Sequence, residues 1–397
     1  MQGMPALYVH IPFCLTKCDY CDFFSLPCTS SISDRYIDAL LAEADYYSRF
    51  YSSKKGLTAW KTIYIGGGTP SLLSPRQLER LLIGLKQLFP KNNPLEISVE
   101  MNPETLGREH LSVMEGTGVT RLSLGIQSLN DRILQGVKRH CTAKKCRDTL
   151  DLVKSEWKMD LNLDAIAGLG DSSSKEFESS LNEMLNWEPE HVSLYTLTVE
   201  EGTPLAQRIE SGEEWNQEEA DRQWLTGRDI LEEHGYEQYE VSNFAKPGHE
   251  SIHNMAYWKQ EDYIGIGAGA TGSIYDFSGK NGFRYTNTRN IELYYKFWTG
   301  ESIAEESIPR ETEMLPLEVE EFEYLMMGLR TLTGINSIEY KKRFSKLRWY
   351  GDLGKRLGQE NGLWNDWQKM NLAKTCGDSY ALTREGLLFL NSFLTAL

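Results

Sequence analysis

The chain has 397 residues, 40% hydrophobic and 25% charged, which are ordinary globular values that exclude wholesale disorder. Its net charge of −15 argues against sequence-independent nucleic-acid binding, because such binding needs a basic surface. No apolar run approaches the roughly 20 residues of a membrane span, and the N-terminus lacks the pattern of a secretory signal, so we expect a cytoplasmic protein without a transmembrane segment.

Six apolar or alternating segments in the first half have the length and residue types of β-strands. They lie at 7–12, 62–67, 96–102, 121–127, 161–169 and 191–199. Helical patterns, such as those at 35–50, 74–89 and 174–187, separate most of them, and this alternation indicates parallel βαβ units with right-handed crossovers. Because six units are too few for a closed eight-stranded barrel, we predict an α/β fold with a partial (β/α)6 barrel over 1–238 that is open on one side.

The second half has a different character. The segment 239–287 is rich in glycine and aromatic residues, and we predict it to be loops and short strands, so that 239–317 forms a cover and linker. Helices are predicted at 318–332 and 336–344, a hairpin at 372–383, and a final helix capped by Thr383. This order predicts a small winged-helix-like α+β domain over 318–397. Its 11 basic and 10 acidic residues favour docking or packing over DNA binding.

Three cysteines follow the first predicted strand with the spacing C-x3-C-x2-C. Cys14, Cys18 and Cys21 bring three thiolates onto one loop, and thiolates are the ligands that iron–sulfur clusters prefer. Three ligands leave the fourth iron of a cubane open for chemistry. The alternatives are buried free thiols or a structural zinc site completed by His10 or Cys28, although these spacings match no usual zinc pattern.

Polar residues stand at the predicted carboxyl ends of the strands, where barrel proteins build their sites. A glycine-rich turn, GGGTP at 66–70, ends the second strand and lets backbone approach a ligand. Glu100 and Gln127 end the third and fourth strands, Arg139 follows the fourth, and Asp164 lies within the fifth. Each one alone fits an ordinary rim residue, but together they predict a binding site.

The segment CLTKCDYC resembles the cluster motif of the radical S-adenosylmethionine (SAM) superfamily, and GGGTP resembles its glycine segment. Further segments are similar to one branch, which contains the oxygen-independent coproporphyrinogen III oxidases and the HemW heme chaperones. These segments are LYVHIPFC, SVEMNPETL, RLSLGIQSLND, NLDAIAGL, YEVSNFAKPG and GIGAGA. The resemblance implies a [4Fe–4S] cluster whose open iron is chelated by SAM. It implies SAM contacts from Tyr8, Tyr20, Gly67, Gly68, Thr69, Glu100, Gln127, Arg139 and Asp164.

Three features separate the two members of this branch. The oxidases carry an N-terminal extension and a further cysteine two residues after the third, where this chain has Phe23. The segment HNMAYW at 253–258 resembles the heme-binding motif HNxxYW of the chaperones. The resemblance therefore favours a heme chaperone over the alternative, a radical SAM enzyme that decarboxylates coproporphyrinogen propionates.

The chaperone motif implies heme contacts from His253, Asn254, Tyr257 and Trp258. His253 is the predicted ligand of the heme iron, and His249 is the competing candidate. The resemblance further implies an acceptor apoprotein for the heme and an electron donor for the cluster. The sequence leaves self-association into a homodimer open.

Overall fold

The computed structural model describes residues 4–28, 30–55, 59–89, 93–275, 282–300, 307–348, 351–360 and 362–397. Strands and helices alternate in its first part. The strands are β1 (Ala6–Ile11), β2 (Phe13–Cys14), β3 (Leu26–Pro27), β4 (Thr62–Gly67), β5 (Glu96–Met101), β6 (Arg121–Gln127), β7 (Asp160–Ala167) and β8 (His191–Thr196). The helices are α1 (Asp34–Lys55), α2 (Pro75–Gln87), α3 (Arg108–Thr117), α4 (Asp131–Gly136), α5 (Ala143–Glu156), α6 (Ser174–Leu185), α7 (Pro204–Glu210) and α8 (Gln217–Glu233).

Shorter elements follow. They are β9 (Glu237–Gln238), β10 (Asn243–Ala245), α9 (Ile252–Trp258), β11 (Tyr263–Ile266), β12 (Thr271–Ile274), β13 (Gly282–Asn287), α10 (Ile291–Trp298) and β14 (Arg310–Leu315). The C-terminal part contains α11 (Leu317–Gly328), β15 (Ile335–Asn336), α12 (Ser337–Phe344), α13 (Leu353–Arg356), α14 (Leu363–Lys369), β16 (Ala373–Cys376), β17 (Ser379–Leu382), α15 (Arg384–Leu387) and α16 (Leu390–Ala396).

The barrel is a twisted sheet with the strand order β14-β13-β12-β11-β1-β4-β5-β6-β7-β8-β10-β9. Its central run, from β11 through β8, is parallel throughout. The six predicted strands are all present, and the α/β partial barrel is confirmed. The parallel run gains one strand beyond the prediction, because β11 pairs with β1 on the side opposite β4.

Local sequence signals set the ends of several barrel helices. Ser74 accepts a hydrogen bond from the backbone of Gln77 at the start of α2, and Ser173 does the same with Glu176 at the start of α6. In both cases the Gln or Glu side chain reaches back to the cap, which completes a capping box. Gly118 ends α3 at φ 77°, a left-handed conformation that glycine adopts without strain.

The main hydrophobic core lies between the outer helices and the sheet, while the inward face of the barrel is polar and buried. Examples of these inward side chains are the hydrogen-bonded pairs Tyr64–Glu100, Arg121–Glu96 and His191–Asn162. Buried polar groups of this kind must be paired to be tolerated, so the barrel interior is a fixed polar network.

The C-terminal domain has its own core. The three-stranded antiparallel sheet β15-β17-β16 packs on helices around Trp364 and Phe393, and the predicted hairpin is its β16–β17 pair. Thr383 caps the helix that follows, as predicted, by accepting a hydrogen bond from the backbone of Gly386. The single final helix of the prediction is instead split into α15 and α16.

The structure departs from the prediction at 252–258, which forms α9 rather than loop or strand. Ser251 caps this helix and the buried carboxylate of Glu96 accepts hydrogen bonds from the backbone of Ile252 and His253. This long-range carboxylate stabilises a seven-residue helix that local propensity alone would leave marginal. Within the described part of the chain, no helix has the length and apolarity required to cross a membrane.

Candidate functional site

A cavity of about 380 Å³ opens at the carboxyl ends of the parallel strands. All of the predicted cluster and SAM residues except Tyr8 line it. These are Cys14, Cys18, Tyr20, Cys21, Gly67, Gly68, Thr69, Glu100, Gln127, Arg139 and Asp164. Residues that are up to 150 positions apart in the sequence thus meet in one space, at the end of the barrel where this architecture places its sites.

The cysteine loop is fastened to the barrel by a buried aspartate. Asp19 lies between Cys18 and Tyr20 and is only 1% exposed. Its carboxylate pairs with Arg208 and with Lys138, whose Nζ lies 3.1 Å away, and its carbonyl accepts a hydrogen bond from the backbone of Leu205. Because these contacts fix the middle of the loop, the three cysteines are held at the cavity before any ligand arrives.

A chain of polar contacts connects two of the cysteines through the cavity wall. The Thr69 hydroxyl donates to the Cys14 sulfur at 3.6 Å and accepts from the Asn102 amide at 3.2 Å. Arg139 donates to Asn102 at 3.2 Å and lies 4.0 Å from the Cys18 sulfur. The wall therefore couples the cysteine positions to Arg139.

The glycine turn is tightly enclosed. Gly67 has φ 110°, and a Cβ at this position would lie 2.4 Å from Nδ1 of His10. Gly67 also donates its backbone N–H to Glu100 at 3.1 Å. Only glycine satisfies both the backbone conformation and the close approach.

Two buried carboxyl groups face the cavity. Burial raises the pKa of Glu100 to about 7 and that of Asp164 to about 6. Hydrogen bonds partly offset this effect: Tyr64 donates to Glu100 at 2.5 Å, and Asn162 donates to Asp164 at 2.8 Å. A cationic or hydrogen-bond-donating ligand would favour the ionised forms of both groups.

Several buried polar atoms of the cavity have no hydrogen-bond partner among the described residues. They include Oε1 of Gln127, Nε of Arg139 and Oε2 of Glu104. Gln127 also has φ 68° at a bulge in β6, an unusual conformation for a residue with a side chain. These unpaired atoms belong to a cation, an anion and a neutral amide, so they suit a ligand that carries both positive and negative groups. SAM is such a ligand, with an amino group, a carboxylate and a sulfonium.

The two predicted tyrosine contacts differ in position. Tyr20 lines the cavity beside Cys18, and burial raises its pKa. Tyr8 lies inside the barrel, where it shares a hydrogen bond of 2.8 Å with Nδ1 of His10. Burial and, to a smaller extent, the carboxylate of Glu100 raise the pKa of Tyr8, which does not line the cavity.

The predicted heme residues lie at the opposite, amino end of the barrel. His253 is 1% exposed, with Nδ1 bonded to Thr62 at 2.7 Å and Nε2 bonded to Tyr257 at 2.9 Å. Burial lowers the pKa of His253 to about 3, so the imidazole is neutral. An iron bond to His253 would have to replace one of these two hydrogen bonds.

The other two members of the motif are less enclosed. Trp258 and Asn254 are half-buried, and the guanidinium of Arg330 lies 5.9 Å from the centre of the Trp258 ring. The Trp258 Nε1 has no hydrogen-bond partner in the described residues.

The residues proposed to complete a zinc site are engaged elsewhere. Nε2 of His10 is bonded to the Phe24 carbonyl at 2.9 Å, and the Cys28 thiol donates to the Ser30 carbonyl at 3.0 Å. Among the described residues, no three His, Cys, Asp or Glu side chains converge as they would around a single metal ion. The donor set at the cavity suits a larger group held by three thiolates better than one zinc ion.

Sequence reasoning missed several residues of this site. Asn102, Glu104 and Tyr195 line the cavity, and the first two belong to the segment SVEMNPE after the third strand. Their position just past a strand end was a usable signal. Glu96 was missed because its role, anchoring α9, depends on a contact across more than 150 residues.

Comparison with known proteins agrees with this geometry. The sequence model of the Radical SAM superfamily matches residues 8–184. The chain is 33% identical to the heme chaperone HemW of Lactococcus lactis, over 94% of each chain. It is 35% identical to HemW of Bacillus subtilis over 86% of each, and 31% identical to HemW of Escherichia coli over 98% of this chain and 97% of the relative.

A solved structure supports the fold. Coproporphyrinogen III oxidase (HemN) of Escherichia coli, a radical SAM enzyme, matches with a TM-score of 0.78 over 100% of this chain and 90% of that chain, at 20% identity. At that identity the match shows the architecture alone, whereas the relatives above show the family. This chain belongs to the radical SAM superfamily and, within it, to the HemW family of heme chaperones.

Proposed function

We propose that this protein is a heme chaperone that carries a [4Fe–4S] cluster, binds SAM and transfers heme to an acceptor protein. The observation that carries the first part is the convergence of Cys14, Cys18 and Cys21 on one cavity, where several buried polar atoms lack a hydrogen-bond partner among the described residues. Support for heme transfer comes from the HemW relatives, which align over nearly the whole chain.

The cavity residues have distinct roles in this proposal. The three cysteines hold the cluster, which when bound supplies an open iron and an electron. Arg139 offers a guanidinium for the SAM carboxylate, while Glu100 and Asp164 accept hydrogen bonds from its amino and hydroxyl groups. Gly67, Gly68, Thr69, Gln127, Tyr8 and Tyr20 shape the pocket around these contacts.

Heme is the cargo in this proposal, and the segment 253–258 with His253 as ligand stays a prediction. The partners are the heme, an acceptor apoprotein and an electron donor for the cluster. A homodimer and a cytoplasmic location also stay predictions.

The experiment is an anaerobic hemin titration of the reconstituted protein, followed by mixing with an excess of apomyoglobin. We expect saturable one-to-one binding and transfer of the heme to the apoprotein. Absence of saturable binding would overturn the chaperone proposal.

A parallel incubation with SAM, reductant and coproporphyrinogen distinguishes the enzyme alternative. We expect no protoporphyrinogen; its formation would reassign the protein as an oxidase. Iron and acid-labile sulfide analysis of anaerobically purified protein tests the cluster separately, and zinc without sulfide would exclude it.

A further inference from the structure

Two cysteines outside the proposed cluster site are in direct contact. The sulfurs of Cys141 and Cys146 lie 3.3 Å apart, and the two residues are only 4% and 0% exposed. A disulfide bond is about 2.05 Å long, so the sulfurs need to approach each other by roughly 1.3 Å to form one. The pair is therefore placed for an intramolecular disulfide that closes a loop of six residues.

The start of α5 holds this pair together. Thr142 is the cap of the helix and accepts a hydrogen bond from the backbone of Lys145 at 3.2 Å. Cys141 precedes the cap and Cys146 is the fourth residue after it, and side chains at these two positions commonly pack against each other. The backbone N–H of Cys146 donates to the Thr142 carbonyl at 2.9 Å. Because the helix fixes Cys146, most of the movement that closes the bond falls on Cys141.

The contact makes the two thiols chemically different. The hydrogen bond from the Cys141 thiol lowers the pKa of Cys146, and the same bond together with burial raises the pKa of Cys141. The positive charges of Arg139 and Arg147 also lower the pKa of Cys146. Since the thiolate is the nucleophilic form, Cys146 attacks an oxidant and Cys141 resolves the product. The small exposed area of the pair restricts the reaction to small oxidants such as hydrogen peroxide.

The pair is linked to the cavity through Arg139, which stands two residues before Cys141. The Arg139 guanidinium donates to the Gly125 carbonyl at 2.5 Å and to the Asn102 amide oxygen at 3.2 Å. Arg139 and the intervening His140 both line the cavity. A shift of Cys141 toward α5 thus pulls on the backbone that positions this guanidinium.

We propose that Cys141 and Cys146 form a reversible disulfide when hydrogen peroxide oxidises them, and that this bond weakens SAM binding by displacing Arg139. This inference rests on the proposed function, because it takes the cavity to be the SAM site. It adds a modification site that makes SAM binding sensitive to peroxide.

The oxidation proceeds in two balanced steps. The Cys146 thiolate attacks one peroxide oxygen, the O–O bond breaks, and a sulfenic acid and hydroxide form. The Cys141 sulfur then attacks the sulfenic sulfur, the S–O bond breaks, and the Cys141 proton leaves in water. In total, two thiols and one hydrogen peroxide give one disulfide and two waters. A dithiol reductant reverses the change by thiol–disulfide exchange.

The test treats the reconstituted full chain, under nitrogen, with one equivalent of hydrogen peroxide. Free thiols are then alkylated in acid, and a tryptic digest is analysed by mass spectrometry. We expect the peptide 140–144 to be joined to 146–147. On the same samples, equilibrium dialysis should show SAM affinity lowered by about tenfold, the effect of losing one hydrogen bond to a charged group. Dithiothreitol should restore it.

Cys141→Ala and Cys146→Ala are the matched variants, and two are used so that a folding defect in one does not decide the result. Both should stay uncrosslinked and keep their SAM affinity after the same treatment. Because peroxide also attacks clusters, iron and acid-labile sulfide are measured in every sample, and affinities are compared at equal cluster content.

The outcomes distinguish this inference from the proposed function. If the untreated wild type with a full cluster binds no SAM, the proposed function itself fails. If the wild type binds SAM but forms no 141–146 disulfide, the inference is overturned. A disulfide that leaves SAM affinity unchanged overturns it as well, and so does an equal loss of affinity in Cys141→Ala at the same cluster content.

Discussion

Gly68→Ala tests whether the glycine turn and the cysteine loop share one narrow space. A Cβ at Gly68 would lie 2.7 Å from the carbonyl oxygen of Phe13, 2.9 Å from that of Ile11 and 3.0 Å from the sulfur of Cys14. The first distance is 0.7 Å short of ordinary contact, which begins at 3.4 Å. The oxygens belong to backbone, and Ile11 already accepts the Gly68 N–H at 2.9 Å, so neither can rotate away.

The strain must therefore move the loop that carries Cys14. Overpacking of this kind costs about 1–3 kcal/mol, which corresponds to a weakening of cluster binding by about 5- to 150-fold if the loop returns to its place in the bound state. The assay is the iron and acid-labile sulfide content per chain after anaerobic reconstitution, together with SAM affinity by equilibrium dialysis. We expect both to fall.

Gly116→Ala is the matched control, because a Cβ there meets no atom within 4 Å and alanine favours the helix. It should reconstitute as fully as the wild type. A Gly68→Ala protein with full iron and sulfide content and wild-type SAM affinity would refute the reasoning.

Three further changes probe other parts of the molecule. Cys18→Ala should abolish the cluster's visible absorbance while Cys376→Ala preserves it, and equal spectra would contradict the ligand assignment. Glu43 has its pKa raised by burial from 4.5 to about 7, so its protonated form stabilises the fold fully below pH 4.5 and this stability is lost as pH rises to 7. In urea unfolding at a series of pH values, Glu43→Gln should reduce the decline in the free energy of unfolding by up to about 3 kcal/mol. An unchanged dependence of that free energy on pH would exclude Glu43 as the source of the decline. Trp364→Ala should cost the C-terminal domain about 3–5 kcal/mol in calorimetry without lowering iron content; a loss below about 1 kcal/mol would contradict its place in that core.

The barrel strands were predictable because each is short, apolar and bounded by turns. The segments 62–67 and 121–127 form strands with the predicted bounds. The cavity was predictable for a related reason: parallel strands end at one face, so Glu100, Gln127 and the cysteines had to meet there.

The segment 239–287 was less predictable because its structure depends on distant partners. β11 is a strand of four residues that pairs with β1, more than 250 residues earlier. The helix α9 depends on hydrogen bonds to Glu96. Its seven residues are too few for the apolar and aromatic side chains to show a helical periodicity in the sequence. The hydrogen bonds that enclose His253 come from Thr62 and Tyr257. The bond with Thr62 becomes apparent only when α9 lies against β4 in the folded chain.

Side chains in the barrel interior connect its two ends. Glu100 at the cavity accepts from Tyr64, and the Tyr64 ring stacks on His253 with centroids 4.8 Å apart. His253 in turn lies on α9, and the carboxylate of Glu96 anchors the start of this helix. A substitution at His253 is therefore expected to disturb the anchoring of α9 and, through Tyr64, the hydrogen bond to Glu100 at the cavity. Loss of heme binding in a His253 variant would by itself not identify the ligand, whereas imidazole rescue of His253→Gly or of His249→Gly would identify the nitrogen that meets the iron.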